Sequence, residues 1–245
     1  EQEDWAKEIP YAIRGDSALE ACKTISSVKL AVMNGASGFQ AVKFRSKKAA
    51  TQSMPIQKSA VRDGSIYKTK LGALKTSEPI KGTSDGRLTL ENGRWFYCES
   101  EERQISRPEN QRFDAVAIDP GVRTFATIYS PEVVGKIGEG DSSHIFRLCI
   151  QLDDLLSRMS RATAKARYRM KKAEKRLRWR IKDLVRELHW KTARYLCGTF
   201  KVIFLPTFNT SEMVGKISRR IGKQTVRKML TLSHYTFKQI LKSMA

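Results

Sequence analysis

Apolar positions in this chain change their period twice. From residue 11 to 33, Ala18, Leu19, Ala21, Cys22, Ile25, Val28, Leu30 and Val32 recur near helical spacing, and Asn34-Gly35 ends the pattern. From about 39 to 113 the period shortens to that of strands. Phe39-Gln-Ala-Val-Lys-Phe44 alternates, and Ser65-Ile-Tyr-Lys68 is short and β-prone. Arg87 to Cys98 carries two β-rich runs around Asn92-Gly93, the preferred pair for a two-residue hairpin turn. Residues 99 to 112 are polar and contain Pro108, which predicts a linker.

Beyond it, Phe113 to Asp119 reads as a strand. Pro120-Gly121 reads as a tight turn, Arg123 to Tyr129 as a second strand, and Val133 to Ile137 as a third. A helical block is predicted from Ser142 to about Phe200. Within it Ile145, Leu148, Leu152, Leu155, Leu156 and Met159, and then Ile181, Leu184, Val185 and Leu188, fall three or four apart. Lys201 to Pro206 predicts a short buried strand, Gly215 to Lys223 a basic loop, and residues 224 to 245 a last helix. Three strands, long helices, then one more strand and helix predict an α/β layer with a mixed sheet. A parallel strand at Val202–Leu205 needs the long helical block as its crossover. Several α/β folds share this order.

Composition adds the partner class. There are 46 Lys+Arg against 25 Asp+Glu, a net charge of +21, and 40% of the residues are hydrophobic. The chain can therefore bury a core, and its charge calls for a polyanion or for a solvated surface that tolerates self-repulsion. No stretch approaches the roughly 20 apolar residues that span a bilayer, and the acidic start Glu1-Gln-Glu-Asp4 lacks the layout of a signal peptide. Without an initiator Met, the chain is expected to begin inside a longer protein. Cys22, Cys98, Cys149 and Cys197 are scattered, which predicts reduced, mostly buried thiols in an intracellular protein and no zinc knuckle. His144, His189 and His234 are too far apart in sequence to suggest a metal site.

Charge is also unevenly placed. Arg158, Arg161, Lys165, Arg167, Arg169, Lys171, Lys172, Lys175, Arg176, Arg178, Arg180 and Lys182 crowd one helical stretch and cover nearly all of its faces. Like charges four apart destabilise a helix, so an anionic partner is expected to help order it. Tyr168 and Trp179 offer stacking surfaces. With no base-reading signature, backbone and shape recognition are expected. The competing reading is a solvated pair of helices. Weaker basic patches lie at Lys43, Arg45, Lys47 and Lys48, and at Lys216, Arg219, Arg220 and Lys223.

Asp119 is the candidate catalytic and metal-binding residue. It ends an apolar strand just before Pro-Gly, where a carboxylate faces a cleft rather than the core. Mg²⁺ prefers such oxygens, and two-metal nucleases use them; plain Asp-Pro-Gly turn chemistry is the alternative. The longer run Asp119-Pro-Gly-Val-Arg-Thr-Phe-Ala-Thr-Ile-Tyr-Ser-Pro131 resembles the first RuvC motif of the TnpB and Fanzor proteins. His189 to Leu196, Val202 to Val214 and Ser233 to Leu241 are similar to later segments of that family, and Ile9 to Arg14 and Val42 to Lys48 to its N-terminal region. The resemblance covers nearly the whole chain, most closely 114–131 and 186–241.

What the resemblance implies is an RNase-H-like (RuvC) mixed sheet with long basic helices, preceded by a smaller helical and β-rich module. The expected organisation is a helical segment over 1–38, a β-rich wedge-like module and linker over 39–112, and a partial RuvC-like domain over 113–245. The family is that of transposon-associated, RNA-guided, Mg²⁺-dependent DNA endonucleases. It implies guide RNA and target DNA as partners, nucleic-acid binding by Arg45, Lys47, Lys48 and the basic helix, Asp119 as a metal ligand, and a nuclear site of action if the host is eukaryotic.

Two departures qualify this. Where bacterial members carry a second catalytic Glu, this chain has Leu205-Pro-Thr-Phe208, as some Fanzor-type members also lack it; Glu212 lies close by. The family's zinc ribbon and third acidic residue lie beyond the last helix. The chain is thus expected to hold one of three acidic residues, and Mg²⁺ only if residues outside it complete the site. The alternatives are a decayed or domesticated non-catalytic nucleic-acid-binding protein and a basic RNA-binding protein of ribosomal style.

Overall fold

The computed structural model describes residues 4–35, 42, 46, 49, 51–102, 112–215 and 220–245. The chain forms two compact units, Glu1–Ile105 and Ser106–Ala245.

In the first unit a short helix α1 (Asp4–Glu8) precedes α2 (Tyr11–Met33), and β1 (Thr51–Ile56) follows. Two-residue strands β2 (Val61–Arg62) and β3 (Ser65–Ile66) pair with each other, and α3 (Lys68–Leu71) leads on to the hairpin β4 (Gly86–Glu91) and β5 (Arg94–Glu99). The sheet order is β1-β4-β5, antiparallel throughout. The hairpin forms where the Asn-Gly pair falls: Asn92 (φ 46°) and Gly93 (φ 84°) both take the left-handed conformation of a type I′ turn, matched to the twist of the flanking strands. Pro55 is tolerated because β1 is an edge strand.

Helix α2 matches the span read from the sequence but not its stripe. None of its residues is buried, and Leu19, Leu30 and Val32 stay exposed. Two of its polar side chains reach other elements: Gln57 donates to the Asp16 carboxylate (3.3 Å), and Arg87 pairs with Glu20. The segment Phe39 to Phe44, read as a strand, lies largely outside the described residues.

The second unit is built on β6 (Phe113–Pro120), β7 (Ala126–Tyr129), β8 (Val134–Ile137) and β9 (Phe200–Phe204). They lie in the order β8-β7-β6-β9. The first three strands are antiparallel, and β9 adds to β6 in parallel, with Ala115 opposite Val202 and Ala117 opposite Phe204. The crossover is the helical block, which divides into α4 (Asp141–Arg161) and α5 (Ala164–Thr199). After β9 come α6 (Thr210–Val214), α7 (Lys223–Leu232) and α8 (His234–Met244). The single helix read over 224–245 is therefore two, broken at Ser233 (φ 47°, ψ 56°), a left-handed corner without the usual glycine.

Alternation along the strands sorts the two faces of this sheet. Val116, Ile118, Ala126 and Ile128 point to one side and are buried with Ile145 and Cys149 of α4, Val185, Leu188 and Leu196 of α5, and Phe237 and Leu241 of α8. On the other side, one row crosses all four strands in register: Val134, Tyr129, Ala117 and Phe204. Val134 is 71%, Tyr129 63% and Phe204 61% exposed. Strand β9, read as buried, is an edge strand with Val202 and Phe204 open to solvent. Among the described residues no helix is long and apolar enough to cross a membrane.

Candidate nucleic-acid interface and the Asp119 turn

Helix α5 is 36 residues long, or about 54 Å at 1.5 Å per residue. Its two halves live in different surroundings. Buried residues begin only at Trp179 and continue through Val185, Leu188, His189, Ala193 and Leu196. The N-terminal half runs beside α4 with Ala166, Met170, Ala173 and Leu177 half-buried. That stripe lies on one side of the helix, so the cations do not cover every face as the sequence suggests. They sweep about 220° at 100° per residue. Seven-residue steps return to nearly the same face, and Lys171, Arg178 and Val185 make two such steps. The face that enters the core at Val185 is therefore cationic further up.

Arg167, Arg169, Lys171, Lys172, Lys175, Arg176, Arg178 and Arg180 are all exposed. Three of them have local partners. Arg167 donates to the Met159 carbonyl (3.2 Å) and the Ala162 carbonyl (3.0 Å), closing the end of α4. Arg178 donates to Glu174 (2.8 Å), and Lys172 lies 5.1 Å from the centre of the Tyr168 ring. Such exposed contacts are worth little and yield readily to a phosphate. Tyr168 is 65% exposed, but Trp179 is buried beneath Lys182 and offers no stacking face. Of the weaker patches, Arg220 and Lys223 are exposed, while Lys43, Arg45, Lys47, Lys48, Lys216 and Arg219 lie outside the described residues.

Asp119 is exposed on the open face of the sheet, opposite Thr127 of β7, at the carboxyl end of β6. In open α/β sheets this end is where ligands bind. The turn after it is tight. The Gly121 amide donates to the Phe125 carbonyl (3.1 Å), and a Cβ at Gly121 would lie 2.6 Å from the Thr124 carbonyl oxygen, so only glycine fits. Among the described residues no three His, Cys, Asp or Glu come together as a metal site. Thr207, where the resemblance calls for an acid, is exposed, and Glu212 accepts a hydrogen bond from Asn209 (3.2 Å) in the first turn of α6. One carboxylate supplies at most two of the six oxygens that Mg²⁺ requires, so these residues alone do not fit a two-metal centre.

Two histidines have roles the sequence did not indicate. His189 bonds the Leu232 carbonyl (2.8 Å) and His234 the Gly121 carbonyl (3.0 Å). Burial holds both below the usual histidine range, partly offset by these carbonyls; His234 is lowered to about 4, with the nearby His189 adding to the effect. His189 follows Leu188 and His234 begins an apolar helix face, a local signal for burial but not for a partner. The thiols divide evenly, contrary to the expectation of mostly buried cysteines: Cys22 and Cys98 are exposed, Cys149 is buried and Cys197 half-buried.

No protein-family model matches the chain. It is 31% identical over 166 residues to an Acanthamoeba polyphaga mimivirus protein named "Putative transposase R186". The likeness to this transposase-named protein is one of sequence. The aligned stretch is 65% of this chain and 33% of the viral protein, so the chain spans about a third of that relative's length.

Proposed function

We propose that this chain is a nucleic-acid-binding portion of a TnpB- or Fanzor-like, RNA-guided DNA endonuclease with an RNase-H-like (RuvC-type) core. The observation that carries the reading is the basic half of α5, a long exposed arc of cations extending from a helix anchored in the unit that bears Asp119. Three antiparallel strands joined by a helical crossover to a fourth, parallel to the first, are what an RNase-H-like sheet needs. The transposase-named relative supports the same class. In this reading guide RNA, or its duplex with target DNA, lies on α5 and is read by shape and backbone. Asp119 is a metal ligand, and Mg²⁺ binds only with acidic groups supplied from elsewhere.

Binding of the chain to structured RNA, single-stranded DNA and duplex DNA across a salt series tests this. Wild type is expected to prefer structured RNA. Changing Lys171, Lys172, Lys175 and Arg176 to Ala is expected to reduce the slope of log affinity against log salt by about 3–4, near one per lost phosphate contact. Equal binding to all three ligands with an unchanged slope in the variant would refute it.

A non-catalytic binding protein is the second reading, favoured by Thr207 standing where the resemblance calls for an acid and by the lack, among the described residues, of any group of three His, Cys, Asp or Glu that could hold a metal. Mg²⁺-dependent nicking by the purified chain, lost in Asp119→Ala, would exclude that reading and would also show that no acidic group from elsewhere is needed.

A further inference from the structure

The α7–α8 corner is built in a way that ordinary helix packing does not require. Ser233 takes a left-handed conformation that costs a non-glycine residue about 1 kcal/mol or more, and no glycine or proline relieves it. The corner turns the His234 ring inward, where it is 5% exposed. There the ring meets three groups from two segments of the chain. It stacks on Phe125 just before β7 (5.0 Å, 6°), meets Phe208 edge-on in the segment after β9 (5.1 Å, 74°), and bonds the Gly121 carbonyl (3.0 Å). β6 and β9 are parallel, so the turn after β6 and the segment after β9 leave the sheet at the same end. One ring therefore ties both exits.

A carbonyl only accepts, so Nε2 carries the proton and donates. Gly121 is then held from two sides, its carbonyl by His234 and its amide by the Phe125 carbonyl (3.1 Å). Asp119 is two residues upstream, beyond Pro120. Its main chain is fixed by the pairing of β6 with β7 on one side and by this clamped turn on the other.

We infer that His234 is a positioning residue for Asp119: its hydrogen bond to the Gly121 carbonyl sets the turn that aims the Asp119 carboxylate at the open end of the sheet. The inference takes its functional importance from the reading of Asp119 as the working carboxylate. Its test uses neither metal nor nucleic acid, so failure of one does not obscure the other.

His234→Phe keeps a stacked ring and removes the donor; His234→Gln restores an amide donor at similar reach. Amide exchange at Gly121 and the Asp119 side-chain carboxyl carbon resonance are followed by NMR in the full chain. In His234→Phe the Gly121 amide is expected to exchange about tenfold faster, the cost of leaving one half-buried carbonyl without its donor, and the Asp119 resonance to move. In His234→Gln both are expected to return toward wild type. Equal acceleration at Val116 and Ile118 would mean only general loosening and would overturn the inference. So would a glutamine variant that behaves like phenylalanine, or a phenylalanine variant indistinguishable from wild type.

Discussion

Phe125→Ala is expected to cost the Ser106–Ala245 unit about 3–5 kcal/mol, the usual range for deleting a fully buried aromatic ring. The ring is 0% exposed. It lies stacked on His234 (5.0 Å), edge-on to Phe237 (5.0 Å, 79°) and tilted against His189 (5.3 Å, 32°). Each such pair adds about 0.5–1.5 kcal/mol beyond area burial, and alanine forfeits all three at once. The site cannot collapse easily, because the neighbours are themselves anchored: His189 to the Leu232 carbonyl and His234 to the Gly121 carbonyl. Urea unfolding monitored by the buried Trp179 measures the loss. Phe125→Leu, which keeps most of the volume, is expected to lose less than half as much. A cost below about 1 kcal/mol for the alanine variant would show that the cluster is not what holds the sheet to its helices.

Mild acid is expected to destabilise the same unit well before carboxylates titrate. Below pH 6.5 the unfolded chain protonates a histidine that folded His234 leaves neutral until about pH 4. The unfolded state thus binds more protons across that interval. Stability is complete above about 6.5 and declines as pH falls through the window, by about 3 kcal/mol in all from His234. His189, also lowered by burial, contributes in the same direction. Asp114, held low by the hydrogen bond and charge of Lys201, acts only at lower pH and is fully exposed. Urea midpoints at a series of pH values from 7 to 4 report the profile, and His234→Gln is expected to flatten part of it. A stability independent of pH through this range would contradict the buried, neutral histidines.

Features written within a few residues were legible in the sequence. Asn92-Gly93 specifies its hairpin because both residues accept the left-handed conformation, and the apolar run to Asp119 followed by Pro-Gly specifies β6 and its turn. The crossover to β9 followed from strand order. What depended on distant neighbours was not legible. Whether Val202 and Phe204 are buried depends on which strand flanks β9 and what covers the sheet. The stripe of α2 has helical period, yet none of its residues is buried. The helix break at Ser233 has no glycine or proline to announce it, since the corner is held by tertiary contacts. His234 and Gly121 are 113 positions apart, so no spacing rule connects them. Local pattern and resemblance single out Asp119 as a candidate; neither points to His234, which the structure brings to its turn.

The open row of Val134, Tyr129, Ala117 and Phe204 has a colloidal consequence. Two copies of a chain with net charge +21 repel over roughly the Debye length, about 10 Å at 0.1 M salt and about 3 Å at 1 M. Contact between two apolar faces is short-ranged and is not weakened by salt. Dilute buffer therefore keeps copies dispersed, and raising salt removes the repulsion while leaving the adhesion, so light scattering is expected to increase with ionic strength. A polyanion along α5 lowers the net charge just as salt shortens its reach. If nucleic acid binds α5 as proposed, light scattering is expected to rise on its addition at low salt, as it is on adding salt.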